Sequence, residues 1–391
     1  MEQLRYLIAL ILALAVGRFV VMYLRRIISG RMAVDIDPAT GGTLTRFARD
    51  TFDILRPGKG TNGGACYPLV PFSNRIANGR FEYDGRMIEL VSNWPGQRHP
   101  MHGHGWSAAW QIERSDSAFA DISHEHDGKR GWPFRYCARQ VFELDSGGLR
   151  VTFSVRNLEA HDVPVGFGLH PFFVREPDCE LIFHADAVWQ ADEDVLPTTR
   201  VAVPDAWEFC HGRNPDTAVL DNCFEHWDGT AAIVWPSRRL RLDLSATAPL
   251  EHLVVYTPPG RPYFCVEPVS HANGKVAETR LAAGAVAVAL VAGVQHIAAC
   301  SALAADAKVH RATQAHGFGA GESQVIGQGF GRGAQTLLLV ELGERGQGLA
   351  GQHGADAQHT AHLDQGETAL APWGVDGVHG EFPSSLCWNE L

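Results

Sequence analysis

The sequence predicts an all-β protein built as a large antiparallel β-sandwich. Short segments of alternating apolar and polar residues recur from about residue 32 to residue 273, and Gly or Pro ends most of them. Residues 149–155 and 240–244 alternate with period two, whereas residues 252–257 are β-branched and aromatic before a Pro-Pro-Gly turn. No segment of this region shows the sustained 3.6-residue apolar period of an amphipathic helix. Many short strands with frequent turns favour an antiparallel sandwich.

Three regions of different composition divide the chain. Residues 1–31 form an aliphatic extension, residues 32–296 carry the strand pattern, and residues 297–391 are rich in Gly, Ala and His. The last region lacks the apolar pattern that would offset the entropy of the unfolded chain, so we expect a disordered or non-native tail. We expect the closing strand of the sandwich at residues 284–291, although their Ala content makes them weak strand formers.

The aliphatic segment Leu4–Leu24 is just long enough to cross a bilayer, but Arg18 would lie near its middle. Our preferred interpretation is a spurious or unstructured extension, with Met32 as the natural start. The second is an inner-membrane tether that keeps the domain in the cytoplasm, because Arg25, Arg26 and Arg31 follow the segment. A cleaved signal peptide is the third, since the amino-terminal region lacks net positive charge.

Composition limits the partners of the protein. The chain has 391 residues, a net charge of -11 and eight cysteines without CxxC or another short metal-ligand spacing. The acidic balance argues against nucleic-acid and anionic-membrane surfaces and suits a small, neutral ligand. Scattered cysteines indicate reduced, mostly buried thiols, which favours a cytoplasmic location. Composition does not specify an oligomeric state.

Three polar side chains stand beside Gly or Pro at the ends of apolar or aromatic runs. They are His102 before Gly103, His170 in a Gly-Phe-Gly-Leu-His-Pro-Phe-Phe run, and Glu267 in Phe-Cys-Val-Glu-Pro. Strand ends of this kind deliver side chains to a concave face. A carboxylate and an imidazole whose pKa values are pushed apart can take one proton and give another near neutral pH.

The order of five segments resembles the aldose 1-epimerase (galactose mutarotase) family from about residue 32 to residue 273. They are Asn-Arg-Ile at 74–76, His-Gly at 102–103, Gly-Phe-Gly-Leu-His-Pro-Phe-Phe at 166–173, Leu-Asp-x-x-Phe at 220–224, and Glu-Pro at 267–268. The resemblance implies a galactose mutarotase-like sandwich that interconverts the α and β anomers of a free hexose. It also implies an enzyme that uses neither a metal nor a cofactor.

Proton transfer is assigned to Glu267 as base and His170 as acid toward the ring oxygen, and the resemblance implies the same roles. We expect these two groups on opposite sides of the sugar, with His102 hydrogen-bonded near the ring oxygen. An edge-strand, solvated glutamate and a core histidine are the structural alternatives.

Sugar hydroxyls need a different set of side chains. Arg75 offers a planar five-donor fork, Asn74 can donate and accept, and Asp221 would accept from paired hydroxyls. Trp106 could stack on the apolar face of the pyranose. A structural ion pair for Arg75, a turn cap for Asp221 and core packing for Trp106 are the alternatives.

The spacing of His99, His102 and His104 also suits a chelate. Strand alternation would put residues 102 and 104 on one face and residue 99 on the other, so no metal is predicted. His104 is left unassigned.

Two other functions stay open. A hexose-6-phosphate 1-epimerase would need cations converging on a phosphate, which Arg75 could form with Arg80, Arg98 or Arg175. A non-catalytic carbohydrate-binding protein would have no need of the pair Glu267 and His170.

Overall fold

The computed structural model describes residues 25–58, 64–94, 96–129 and 131–297. These residues contain nineteen strands and five single-turn 3-10 helices, which confirms the predicted all-β class. The strands are β1 Arg25–Ser29, β2 Met32–Asp37, β3 Thr43–Arg49, β4 Phe52–Leu55, β5 Cys66–Leu69, β6 Arg80–Tyr83, β7 Arg86–Glu89, β8 Gln111–Ser115, β9 Phe119–Asp127, β10 Arg135–Leu144, β11 Gly148–Asn157, β12 Gly168–Val174, β13 Glu180–Ala191, β14 Pro197–Ala202, β15 Asp221–Trp235, β16 Leu240–Ala246, β17 His252–Tyr256, β18 Tyr263–Val269 and β19 Val286–Ile297. The 3-10 turns are Ala77–Gly79, Asp205–Trp207, Pro215–Thr217, Pro236–Arg238 and Val276–Glu278.

Antiparallel pairing arranges most of these strands in two layers. The front layer runs from β1 through β2 and β3 to β4 and β5, then through β12, β18, β17 and the first half of β15. The back layer runs from the second half of β15 through β16, β19, β11, β10 and β9 to β8. β19 therefore lies between β16 and β11, inside the back layer.

The long strand β15 connects the two layers. Residues 221–225 pair with β17, whereas residues 230–235 pair with β16. Gly229 stands between these two halves with a φ of +82°, a left-handed conformation that glycine adopts without steric cost. β15 can thereby change partners within one strand.

The main core lies between the layers. Leu169 and Phe173 of β12 face the same interior space as Val151 of β11, Leu242 of β16 and Val291 of β19. Because successive side chains of a strand point to opposite faces, residues 168, 170 and 172 of β12 face away from this core. The fold thus leaves a second face of the front layer for the polar residues of a site.

The predicted start of the domain at residue 32 is too late. β1 pairs along its whole length with β2, and Ile27 is completely buried. Arg26 also donates two hydrogen bonds to the Asp35 carboxylate, at 2.5 and 2.6 Å. The run of arginines looked like the flank of an aliphatic segment, but Ile27 alternates with exposed neighbours as a strand residue does.

The predicted closing strand is confirmed, and it extends from Val286 to Ile297. Its pairing with β11 and β16 compensates for weak strand propensity, because tertiary context outweighs propensity in sheets. The segment Leu4–Leu24 and the tail after residue 297 lie outside the described residues. Within the described part of the chain, no helix is long and apolar enough to cross a membrane.

The described cysteines form no disulfide with one another. Cys66, Cys137, Cys179, Cys223 and Cys265 are buried, and Cys210 is half-buried, in agreement with the expectation of mostly buried thiols. Residues 300 and 387 lie beyond the described ranges.

Candidate active site

The outward face of the front layer brings together side chains that are far apart in sequence. Strand β12 lies between β5 and β18, and its register places His170 opposite Tyr67. Phe172 is opposite Cys265, so two residues further along the antiparallel pair Glu267 comes beside His170. Strand register alone therefore assembles the centre of the candidate site.

The catalytic pair predicted from sequence is in direct contact. Nε2 of His170 lies 3.3 Å from Oε1 of Glu267, and both side chains are less than a tenth exposed, at 8% and 3%. We expected the two groups on opposite sides of the sugar, which this contact contradicts. Neighbouring side chains also suit ring opening, because the two oxygens that exchange protons, the C1 hydroxyl and the ring oxygen, are both bonded to C1. A solvated edge glutamate is also excluded, since β18 is flanked by β12 and β17.

Burial pushes the two pKa values in opposite directions. It raises the pKa of Glu267 well above the ordinary carboxyl value, and the neighbouring Asp221 carboxylate raises it further while Arg75 lowers it. Burial also lowers the pKa of His170 to about 3. The pair therefore holds one proton across the neutral range, since each charged form is disfavoured by desolvation.

His102 is presented by a loop that is locked to a second loop. The Asn74 backbone N–H donates to Nδ1 of His102 at 3.1 Å, and the His102 N–H donates to the Asn74 carbonyl at 2.9 Å. Both residues have positive φ, +63° for His102 and +54° for Asn74, which is uncommon outside glycine and typical of functional sites. Because Nδ1 accepts a hydrogen bond, Nε2 carries the hydrogen. His102 is thus a neutral donor beside His170, with ring centroids 5.3 Å apart.

The alternation predicted for residues 99–104 is wrong. This segment is a loop rather than a strand, and the left-handed conformations of His102 and Gly103 turn its side chains apart. His99 accepts from the Asn78 backbone N–H at 2.9 Å on the rim, whereas His104 lies 3.0 Å from the Tyr136 hydroxyl. The three histidines do not form a common chelate in the described structure.

Arg75 and Asp221 meet at the side of the cleft. Their charged atoms are 3.8 Å apart, and the side chains are 15% and 29% exposed, so both can reach a ligand. Asn74 is buried, and its side-chain carbonyl accepts from the Arg75 backbone N–H at 2.9 Å. Asn74 thus links the His102 loop to Arg75, and the direct sugar contact of its side chain stays a prediction.

Trp106 packs in the floor of the cleft. It is 4% exposed, and its indole N–H donates to the Gly103 carbonyl at 3.0 Å. Trp94, which the sequence did not single out, covers it with ring centroids 4.9 Å apart and is only half-buried. Burial of Trp106 favours the core-packing alternative, and the more exposed ring of Trp94 is the better candidate for stacking on a sugar.

Two further residues were missed. Tyr67 contacts both candidate histidines, with ring centroids 4.6 Å from His170 and 5.9 Å from His102. Arg56 lies over Phe172 and Tyr263 at 4.5 Å from each ring centroid. Neither has a sequence motif, because each reaches the site through strand pairing.

The Cys265 thiol completes a buried group with His170 and Glu267, whose possible ligand atoms lie within 4.8 Å of one another. Burial and the nearby Glu267 raise the pKa of this thiol well above its ordinary value. Metals bind the thiolate, which this environment disfavours. The neutral thiol is therefore a weak metal ligand at this position.

The fold has the architecture of galactose mutarotase-like β-sandwich proteins. A crystal structure of such a protein from Clostridium acetobutylicum superposes with a TM-score of 0.62 at 18% identity, covering 71% of this chain and 99% of that one. Residues 27–280 match the family model described as Aldose 1-epimerase. The chain belongs to the aldose 1-epimerase family.

Individual relatives support the same placement. The crystal structure of a candidate aldose 1-epimerase from Escherichia coli K12 has a TM-score of 0.66 and 28% identity, over 70% of this chain and 99% of that one. The uncharacterized protein YphB of Escherichia coli is 32% identical over 255 residues, which are 62% of this chain and 86% of that protein. Galactose mutarotase of Rattus norvegicus is 31% identical over 144 residues, 33% of this chain and 40% of that protein.

Proposed function

We propose that the protein is an aldose 1-epimerase that interconverts the anomers of a free hexose by acid/base ring opening and closure. The contact between Nε2 of His170 and Oε1 of Glu267 carries this proposal. A buried pair that shares one proton is costly in a protein that only binds sugars, because desolvation of each charged form must be offset. For this reason we do not favour a non-catalytic carbohydrate-binding protein.

The reaction moves two protons at neighbouring oxygens. In the reactive tautomer of the pair, the shared proton is on His170 and Glu267 is ionised. Glu267 takes the proton of the C1 hydroxyl while His170 gives the shared proton to the ring oxygen, and the C1–ring oxygen bond breaks to give the open aldehyde with one proton again on the pair. Rotation about C1–C2 presents the other face, and the reverse transfers close the ring. The Arg75 cation supports the ionised carboxylate, since it lowers the pKa of Glu267. His102 donates from Nε2 near the ring oxygen.

Binding contacts come from the sides of the cleft. Arg75 and Asp221 present complementary donors and acceptors to vicinal hydroxyls. Half-buried Trp94 provides an apolar ring face. The pKa of Asp221 is raised by its burial and lowered by Arg75, as expected for a carboxylate facing a water-poor cleft.

The test is polarimetry on freshly dissolved α-D-glucose and α-D-galactose with the full chain. Glu267→Gln and His170→Ala should each lower the turnover rate by about 10²–10⁴-fold, the usual contribution of a general acid or base. Exposed Glu278→Gln and His161→Gln serve as matched controls and should keep full activity. Near-normal turnover in either site variant, with an unchanged circular dichroism spectrum, would remove that residue from the mechanism.

A chelator is the second arm of this test. Mutarotation at 25 °C should survive dialysis against a strong chelator, because the proposed chemistry needs no Lewis acid. Loss of activity that a divalent ion restores would contradict the proposed mechanism.

The sugar-phosphate alternative is not favoured by the positions of the arginines. Arg80 pairs with Glu89 at 3.0 Å, Arg98 lies 3.8 Å from Asp194, and Arg175 pairs with Asp216 at 2.6 Å. Each of these charges is thus balanced by its own carboxylate. A hexose 6-phosphate should therefore be a poorer substrate than the free hexose in the same assay.

A further inference from the structure

Three histidines converge behind the loop that carries His102. His124 and His126 alternate onto one face of β9, and His104 approaches them from the loop. The possible ligand atoms of all three lie within 4.8 Å of one another. The His104 and His126 rings are 4.1 Å apart between centroids. None of the three takes part in the proposed proton transfer.

In two of these rings, the nitrogen that points away from the cluster is hydrogen-bonded to a backbone carbonyl. Nε2 of His126 donates to the Trp132 carbonyl at 2.8 Å, and Nδ1 of His124 donates to the Ala109 carbonyl at 3.2 Å. A carbonyl can only accept a hydrogen bond, so the ring hydrogen of His126 is on Nε2 and that of His124 is on Nδ1. The other ring nitrogens, Nδ1 of His126 and Nε2 of His124, carry no hydrogen and are of the type that can ligate a metal. Metal-bound histidines are oriented in this way, by donating the other ring N–H to an acceptor.

The third ring has a comparable support. The Tyr136 hydroxyl lies 3.0 Å from Nε2 of His104. His126 is 4% exposed, and His104 and His124 are half-buried, so the cluster has a protected side and an accessible one. Three imidazoles with one open side match the ligand number of a zinc site that keeps a fourth position for water.

We propose that His104, His124 and His126 bind one divalent transition-metal ion of the zinc class. Neutral imidazoles suit Zn²⁺, Co²⁺, Ni²⁺ and Cu²⁺, whereas Mg²⁺ and Ca²⁺ prefer oxygen ligands. The ion joins the loop of His102 to β9 and adds to the stability of the fold. The paired hydrogen bonds between His102 and Asn74 hold the loop without it, so mutarotation at 25 °C does not require the ion. The three ligand atoms lie within 4.8 Å of one another, so small movements of the rings bring all three to coordination distance from one ion.

The experiment compares metal binding by the full chain and by His124→Gln, after removal of bound metal with a chelator. Six further histidines lie after residue 297 and can also bind metal. The informative quantity is therefore the difference in bound ions per chain between the unaltered protein and His124→Gln. Equilibrium dialysis with Zn²⁺ should give one more ion per chain for the unaltered protein. Saturating Zn²⁺ should also raise its melting temperature by roughly 5 °C, as expected for an ion that binds only the folded state.

His211→Gln, which removes an exposed histidine elsewhere in the described chain, is the matched control and should keep the extra ion and the thermal shift. Equal stoichiometry and equal thermal response in the unaltered chain and His124→Gln would overturn the proposal.

Co²⁺ gives a second measurement, which does not depend on a variant that folds. The unaltered protein should show visible ligand-field bands without a thiolate-to-cobalt charge-transfer band, since the cluster has no cysteine. A thiolate band would place the ion at a cysteine and contradict the site. If no ligand-field band of four- or five-coordinate Co²⁺ appears, the proposed site is overturned as well.

Discussion

At the scale of single residues, the shared proton of His170 and Glu267 determines how activity depends on pH. The pair works when it holds one proton. A second proton enters only as pH falls toward about 3, the pKa of His170, and the single proton is lost only as pH rises toward the raised pKa of Glu267.

The profile of kcat/KM should therefore be flat between about pH 5 and neutrality, with its acid limb well below the ordinary histidine pKa of about 6.5. Stopped-flow polarimetry across this range measures it. A decline centred near pH 6 would contradict the lowered pKa of His170.

The same burial predicts a cost in stability. The pKa of Glu267 is raised in the folded protein, so its stabilising contribution is complete below the unfolded carboxyl pKa of about 4.3 and is lost as pH rises toward the folded value. Glu267→Gln cannot lose a proton. The variant should therefore be more stable than the unaltered protein near pH 8, by about 1 kcal/mol or more.

Urea unfolding at pH 4 and pH 8 tests this. The advantage of Glu267→Gln should shrink at pH 4, and since both proteins keep His170, its titration cancels. An advantage that is equal at both pH values, or absent at pH 8, would show that the carboxyl is not held in its protonated form.

At the scale of elements, sequence periodicity predicted strands, and local context predicted that the candidate side chains His170 and Glu267 are buried together. Residues 149–155 lie within β11, and apolar neighbours on both sides of Glu267 correctly indicated a buried carboxyl. The predictions that failed at this scale concern loops, because the alternation of side chains along a strand does not apply to their backbone conformations. The loop at 99–104 has two residues with positive φ, and the cluster of His104 with β9 depends on chain packing across about twenty residues.

The conformation of this loop leads to a prediction for Gly103. Its φ is +65°, and a Cβ added there would lie 2.2 Å from the Val70 carbonyl oxygen. Gly103→Ala should displace the loop and lower kcat by about tenfold or more, because His102 loses its position against the sugar.

Gly85→Ala is the matched control. Its φ is +72°, but nothing lies within 4 Å of the added Cβ, so it has the backbone strain without the collision. Thermal melts and mutarotation rates of both variants separate the two effects. If Gly103→Ala behaves like Gly85→Ala, the close approach to Val70 does not position His102.

At the scale of the whole molecule, β1 is part of the folded domain. A chain that begins at Met32 would lose buried Ile27 and leave β2 as an uncovered edge. Compared with a chain that begins at residue 25, it should melt at least about 4 °C lower and aggregate sooner, because burying an isoleucine contributes about 1.5–3 kcal/mol. Equal melting temperatures and equal soluble yields would restore residue 32 as the boundary.

The position of β19 inside the back layer constrains how the protein is made. During synthesis β16 and β11 emerge from the ribosome well before the strand that joins them, because β19 is the last strand of the described chain. Until Ile297 has left the exit tunnel, both neighbours present unpaired backbone edges, with which other nascent chains can pair. We therefore expect the soluble yield of the nascent protein to depend on how soon β19 reaches β11 and β16.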